Sequence, residues 1–155
     1  MSDRESLNVP MNTLTKLVSH LRKGIRGVVL PVPHRFVDRL FSGGKDIFVK
    51  WGHFRFLRKG QRLVFYDSGV RKLVGEATIE EANSHEPTAV WRTYGKRIFL
   101  EKNEFDAYLT TSPLGYPRKL ERSKMIAITF RGARRYPTPK ESPKRMTVAG
   151  FYLRD

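Results

Sequence analysis

The chain has 155 residues, with 30 Lys and Arg against 15 Asp and Glu, a formal net charge of +15, and no Cys. Thiolate chemistry is therefore excluded, and 39% hydrophobic and 12% aromatic content, with 10 Phe, excludes a disordered basic tail. Self-repulsion at this charge density opposes compaction, so the surplus points to a strongly negative partner, of which nucleic acid is the usual one.

The charge is uneven. Residues 1–75 carry 15 cations and 5 anions, residues 76–106 carry 4 and 7, and residues 107–155 carry 11 and 3. Two basic stretches thus flank an acidic middle, as expected if one face of the molecule is charged and another is not. No apolar run approaches the ~20 residues of a membrane span. The polar, acid-bearing N-terminus does not read as a signal peptide. A cytoplasmic protein without a membrane partner is expected.

In chain order, residues 1–10 read as frayed. Leu14, Leu17, Val18 and Leu21 recur at helical spacing, with Asn12 as cap and Gly24 as stop. This amphipathic helix over 12–24 either packs on the domain or docks a protein partner. Residues 27–33 form an apolar strand ended by prolines. His34 to Phe41 reads as one helix of about two turns, stopped at Ser42-Gly43-Gly44. Asp46 to Trp51 is a strand whose alternation sets Ile47 and Val49 against Phe48 and Lys50. Leu63 to Tyr66 and Lys72 to Ile79 form a hairpin about Asp67-Ser68-Gly69. Glu80 to Trp91 reads as helical or irregular, and Arg97 to Leu100 as a short strand or helix start. Asn103 caps a helix through Leu109, with Glu104 and Asp106 in its favoured first turn. Thr110 to Pro117 is loop. Lys124 to Gly132 is a strong strand, Arg134 to Pro139 an extended basic loop, and Met146 to Tyr152 a last strand. Many short strands with a few short helices predict an α+β fold, a small mixed β-barrel. Residues 1–24 are an appended tail and helix, and 25–155 the barrel domain.

Two stretches carry a resemblance. Lys59-Gly60-Gln61-Arg62-Leu63-Val64-Phe65-Tyr66-Asp67-Ser68, followed by Val74-Gly75-Glu76-Ala77-Thr78-Ile79, is similar to the EVE pattern of a strand ending in Tyr-His-Ser and a following hydrophobic-Gly strand. Pro33-His34-Arg35-Phe36 through Gly43-Gly44-Lys45-Asp46-Ile47 is similar to the ASCH helix, Gly-Lys turn and strand. The chain so resembles the PUA-like superfamily of RNA-associated pseudobarrels, with its PUA, ASCH, EVE and YTH branches, and over about residues 25–155 an archaeal family within it. The resemblance implies a five- or six-stranded mixed barrel with helices at its ends. It also implies a pocket in which aromatic walls stack on one nucleotide, at the positions of Trp51, Tyr66, Asp67 and Ser68. Asp67 stands where the family has His.

The residues themselves supply further candidates. His20, His34, His53 and His85 are dispersed and no pair has ligand spacing, so neither a metal nor another cofactor is expected. Lys50 and Trp51 sit at a strand end, where Trp51 either stacks on a base or closes the core. Arg131, Arg134 and Arg135 with Tyr136 form the best basic site, guanidinium forks for phosphate and a ring for stacking. Lys140, Lys144 and Arg145 continue it. Arg55, Arg58, Lys59 and Arg62, with Phe54 and Phe56 between, form a second cluster, and Arg118, Lys119, Arg122 and Lys124 a third. Such groups hold phosphates without reading sequence. The ASCH branch also contains amidohydrolases of acylated nucleosides with a Lys-x-x-Thr pair and a downstream Glu. Lys45 and Glu76 match, but Phe48 stands at the Thr position and neither attacks nor donates a proton. The reading is an RNA-binding module for tRNA or rRNA that takes one unpaired or modified base. The alternatives are a ribosome-associated protein, an ASCH-type hydrolase and a modified-DNA reader.

Overall fold

The structure is a computed structural model that describes residues 24–52, 54–110 and 124–155. The expected N-terminal helix up to Lys23, the loop after Thr110, His53, and Arg118, Lys119 and Arg122 lie outside those residues.

The described residues form a mixed sheet of six strands: β1 (Ile25–Val32), β2 (Ile47–Trp51), β3 (Arg62–Asp67), β4 (Lys72–His85), β5 (Met125–Lys140) and β6 (Phe151–Arg154). Their order is β2-β5-β4-β3-β1-β6. β1 and β3 run parallel and the other neighbours antiparallel. A parallel pair needs a long crossover. Residues 33–61 supply it and carry a 3-10 turn (His34–Phe36), α1 (Val37–Phe41) and β2. Two further helices, α2 (Pro87–Tyr94) and α3 (Lys102–Thr110), lie between β4 and β5 in the chain. The α+β class, the mixed sheet and the short helices expected from the sequence are all present.

β4 and β5 are far longer than the patterns implied. Residues 80–85 continue β4 rather than turning helical, and residues 133–140 continue β5 rather than forming a loop. Three register shifts along the β4–β5 ladder, between Leu73 and Gly75, Glu76 and Thr78, and Ile79 and Glu81, bend the pair and hide its periodicity. Pro137 and Pro139 are tolerated because β2 pairs with β5 only from Met125 to Thr129, which leaves the far half of β5 an edge. Met146 to Gly150 is irregular, and the last strand starts at Phe151.

The main core lies on one face of the sheet and includes Leu30, Phe48, Leu63, Phe65, Ile79 and Ile128, with Leu40 of α1, Val90 of α2 and Phe105 of α3 packed against them. β2 departs from alternation: Ile47, Phe48 and Val49 are all in this core and Lys50 is buried too. Residues 98–99 cover its second side, with Ile98 bridging Ile47, the Phe99 N–H donating to the Ile47 carbonyl at 3.1 Å, and the Phe99 ring stacked 4.7 Å from Phe48. α1 and α3 are tied by Arg39, whose guanidinium grips both carboxylate oxygens of Glu104 at 2.5 and 3.1 Å. A smaller cluster of Val29, Val64, Leu73 and Tyr136, with Tyr66 and Met146 against it, is separate from the main core. In β1 and β3 its members alternate with core residues, which places it on the sheet's other face.

Candidate nucleic-acid interface

A cleft of about 670 Å³ lies where β2 faces the segment leading into β6. That is the size of a small-ligand site. One wall comes from β2 and the helical side: Phe36, Phe48, Trp51, Phe99, Leu100 and Tyr108. The other comes from β1, the β3–β4 turn and residues 146–149, and includes Pro31, Tyr66, Ser68 and Arg71. Two cations, Lys50 and Arg71, line it, and among the described residues no carboxylate does.

Trp51 is fixed by α3. Its indole N–H donates to the Tyr108 carbonyl at 3.0 Å, and its backbone N–H donates to the Tyr108 hydroxyl at 3.2 Å. The two rings are tilted, 6.2 Å apart. Trp51 is half-buried: it packs against the core and also lines the cleft, so stacking and packing are not exclusive. Lys50 is 8% exposed, and its ammonium donates to the Val148 carbonyl. That bond links β2 to the residues leading into β6. Gly150 turns the same segment with φ +74, where a Cβ would stand 2.3 Å from the Val29 carbonyl oxygen, so no other residue fits.

Tyr66 and Ser68 line the cleft, but Asp67 between them faces away from it. One oxygen of its buried carboxylate accepts from the Gly69 and Val70 N–H groups at 2.8 and 3.2 Å, and the other pairs with His34 Nδ1 at 2.7 Å. Burial raises the Asp67 pKa, but the His34 hydrogen bond and the two backbone donors outweigh it, and the carboxyl ends below its ordinary 3.8. An ionised carboxylate only accepts, so Nδ1 of His34 carries the proton. Asp67 thus shapes the turn that holds its two neighbours.

The basic clusters meet around two acids of β4. Glu80 pairs with both Lys59, at 3.7 Å, and Arg131. Glu76 takes Arg62 at 2.9 and 3.0 Å, Arg134 at 3.3 Å and the Tyr136 hydroxyl at 3.0 Å. Four cations sharing two carboxylates make a net-positive strip across β3, β4 and β5. Arg62 bonding, against the cost of burial, holds the Glu76 carboxyl below its ordinary 4.5. Arg135 pairs with Asp38 of α1. That exposed pair is worth about 0–1 kcal/mol, so it does not withdraw the Arg135 guanidinium from a phosphate. Tyr136 is a correction to the expected stacking residue: it is 7% exposed, buried in the smaller cluster, and burial pushes its phenol above 10.0. Because Tyr66 and Met146 pack on that same cluster and also line the cleft, the strip and the cleft's outer wall share one sheet face. Arg55 and Arg58 stand exposed in the loop before β3, where Phe54 and Phe56 pack on Tyr152 at 5.9 and 5.8 Å.

Lys45 and Glu76 are in separate networks. The Lys45 ammonium donates to the Lys96 carbonyl at 2.8 Å, and neither residue lines the cleft. Among the described residues no three His, Asp or Glu gather as a metal site. None of the described helices is long and apolar enough to cross a membrane. Sequence reasoning missed Arg71, which sits two residues past the turn motif, and Tyr108, which carries no signal beyond helical spacing.

The family described as "Domain of unknown function (DUF365)" matches residues 25–155. The chain belongs to the DUF365 family. Among solved structures, the ASCH protein of Zymomonas mobilis is similar in fold, with a TM-score of 0.58 at 18% identity over 75% of this chain and 73% of that one. A single-residue variant of that protein gives a TM-score of 0.59 over 76% of each chain, again at 18% identity. The likeness gives this DUF365 chain the ASCH, PUA-like type of fold. Among curated proteins, large ribosomal subunit protein uL22 of Ureaplasma parvum is 32% identical over 79 residues, which are 51% of this chain and 22% of the relative. The chain thus matches about a fifth of the length of that relative.

Proposed function

We propose that this protein is a non-catalytic RNA-binding module of the cytoplasm, in which the sugar-phosphate chain of a tRNA or rRNA follows the basic strip and one unpaired or modified base enters the cleft between Trp51 and Tyr66. The observation that carries this reading is a cleft walled by aromatic rings and cations, without a carboxylate among the described residues, one wall of which shares the sheet face that carries the strip. Aromatic platforms beside a positive track are how splayed bases are held. The Lys50 bond to the Val148 carbonyl supports the further reading that the sheet closes as a barrel around this cleft. The 12–24 segment is proposed as an appendage with room for a protein partner. The uL22 likeness favours a second reading, in which the RNA is ribosomal and the attachment lasting. The separation of Lys45 from Glu76 supports binding over hydrolysis.

Fluorescence anisotropy with a labelled single-stranded RNA and with tRNA, over a salt series, tests this. Log K falls against log salt by about 0.7 per neutralised phosphate of the single strand. Trp51→Ala weakens binding by about 1–3 kcal/mol with the slope unchanged, whereas Arg134→Ala flattens the slope. Preference for DNA of the same sequence would move the assignment to DNA. Turnover of an acylated cytidine by the native protein would move it to hydrolysis.

A further inference from the structure

Arg71 is the residue of the cleft that the basic strip does not explain. Its φ is +60, and it is the one non-glycine residue with positive φ among the described residues. An L side chain there costs about 1–2 kcal/mol relative to glycine. The turn has a glycine, but not at that position. Gly69 has no positive φ, and a Cβ on it would stand 2.7 Å from His34 Cβ. Glycine is therefore used where His34 presses on the chain, and arginine occupies the place where glycine would relieve strain.

The strained conformation is held firmly. The Arg71 N–H donates to the Asp67 carbonyl at 2.7 Å, and the Asp67 carboxylate anchors Gly69, Val70 and His34. What this fixes is the start of an arginine side chain that lines the cleft. Arg39, Arg62, Arg97, Arg131, Arg134 and Arg135 each have a carboxylate partner. Arg71 has none among the described residues. Ser68 and Tyr66, both hydroxyl-bearing residues, line the same cleft. A planar, permanently charged fork in a cleft that Ser68 and Tyr66 also line, with no acid partner among the described residues, is suited to a phosphate.

We propose that Arg71 and Ser68 form the phosphate subsite of the cleft, and that its ligand is a nucleotide bound with the base on the Trp51 wall and its phosphate on the turn. This rests on the reading of the cleft as a base-binding site and adds which end of the nucleotide goes where.

The test follows the two tryptophan indole N–H signals by NMR during titration with the four common nucleoside 5′-monophosphates and with the matching nucleosides. In the native protein at least one monophosphate shifts the Trp51 signal at concentrations about ten-fold or more below its nucleoside, as expected for charge-assisted bonds. Arg71→Gly abolishes that preference while the nucleoside response remains, and its Tm is equal to or above the native value because the left-handed strain is relieved. Arg71→Asn, which also tolerates this backbone conformation, behaves the same way. Retention of the monophosphate preference in both variants overturns the subsite and leaves the base reading standing. If neither monophosphate, nucleoside nor RNA moves the Trp51 signal in the native protein, the base reading fails and the subsite with it.

Discussion

At the scale of single residues, the cleft owes part of its shape to a group that does not line it. Asp67 lies between Tyr66 and Ser68, which both line the cleft, and the sequence invites reading it as a contact. Its carboxylate instead ties the turn to His34, while its backbone carbonyl accepts from the Arg71 N–H. The sign of its pH effect follows from its lowered pKa. The stability it contributes is present above 3.8 and is lost as pH falls through the lower folded value. Asp67→Asn is expected to reduce stability by about 1–3 kcal/mol at neutral pH, and the gap to the native protein is expected to narrow as pH falls below 3.8 and through the lower folded value. Thermal unfolding across pH measures it, and a gap of constant size down to acid would contradict the assignment. Tyr136 teaches the same point in reverse. A tyrosine beside three arginines reads as a stacking platform, but its place on β5 turns it into the smaller cluster, where its hydroxyl serves Glu76. Sequence spacing gives neighbours along the chain, and only the register across β4 decides which face they share.

At the scale of elements, the short strands around the cleft were legible and the long ones were not. β1, β3 and the start of β4 are short, apolar and bounded by turn residues, so pattern alone finds them. β4 and β5 are bent by register shifts that put hydrophobic residues out of phase, and two prolines lie in β5. A rule that stops strands at prolines is sound for central strands and fails on this edge. The bend itself depends on a tight crossing. A Cβ on Gly75 would lie 2.5 Å from both the Phe41 ring and the Arg134 carbonyl oxygen. Gly75→Ala is expected to destabilise the domain by about 1–3 kcal/mol through overpacking. Chemical denaturation checks it, and native stability in that variant would mean that both Phe41 and the Arg134 carbonyl can give way to the added methyl.

At the scale of the whole molecule, net charge pointed to a polyanionic partner but not to the arrangement that would meet one. The run at 131–135 looked like the leading site because its cations are adjacent in sequence. In the fold each has an acid partner, and β4 gathers cations from β3, β5 and the preceding loop into one strip. The cleft, whose walls come from segments as distant as Pro31 and Ala149, was legible only at Lys50, Trp51, Tyr66 and Ser68. The rest of its lining, Tyr108 and residues 146–149 included, is assembled by tertiary packing and has no local signature. The proposed function requires that a base meet the cleft while its backbone meets the strip. Ultraviolet crosslinking of the native protein to RNA, with the attached peptides mapped by mass spectrometry, tests that most directly. Nucleotide adducts are expected on the peptides that contain Trp51 and Tyr66; adducts confined to other peptides, or none at all, would contradict it.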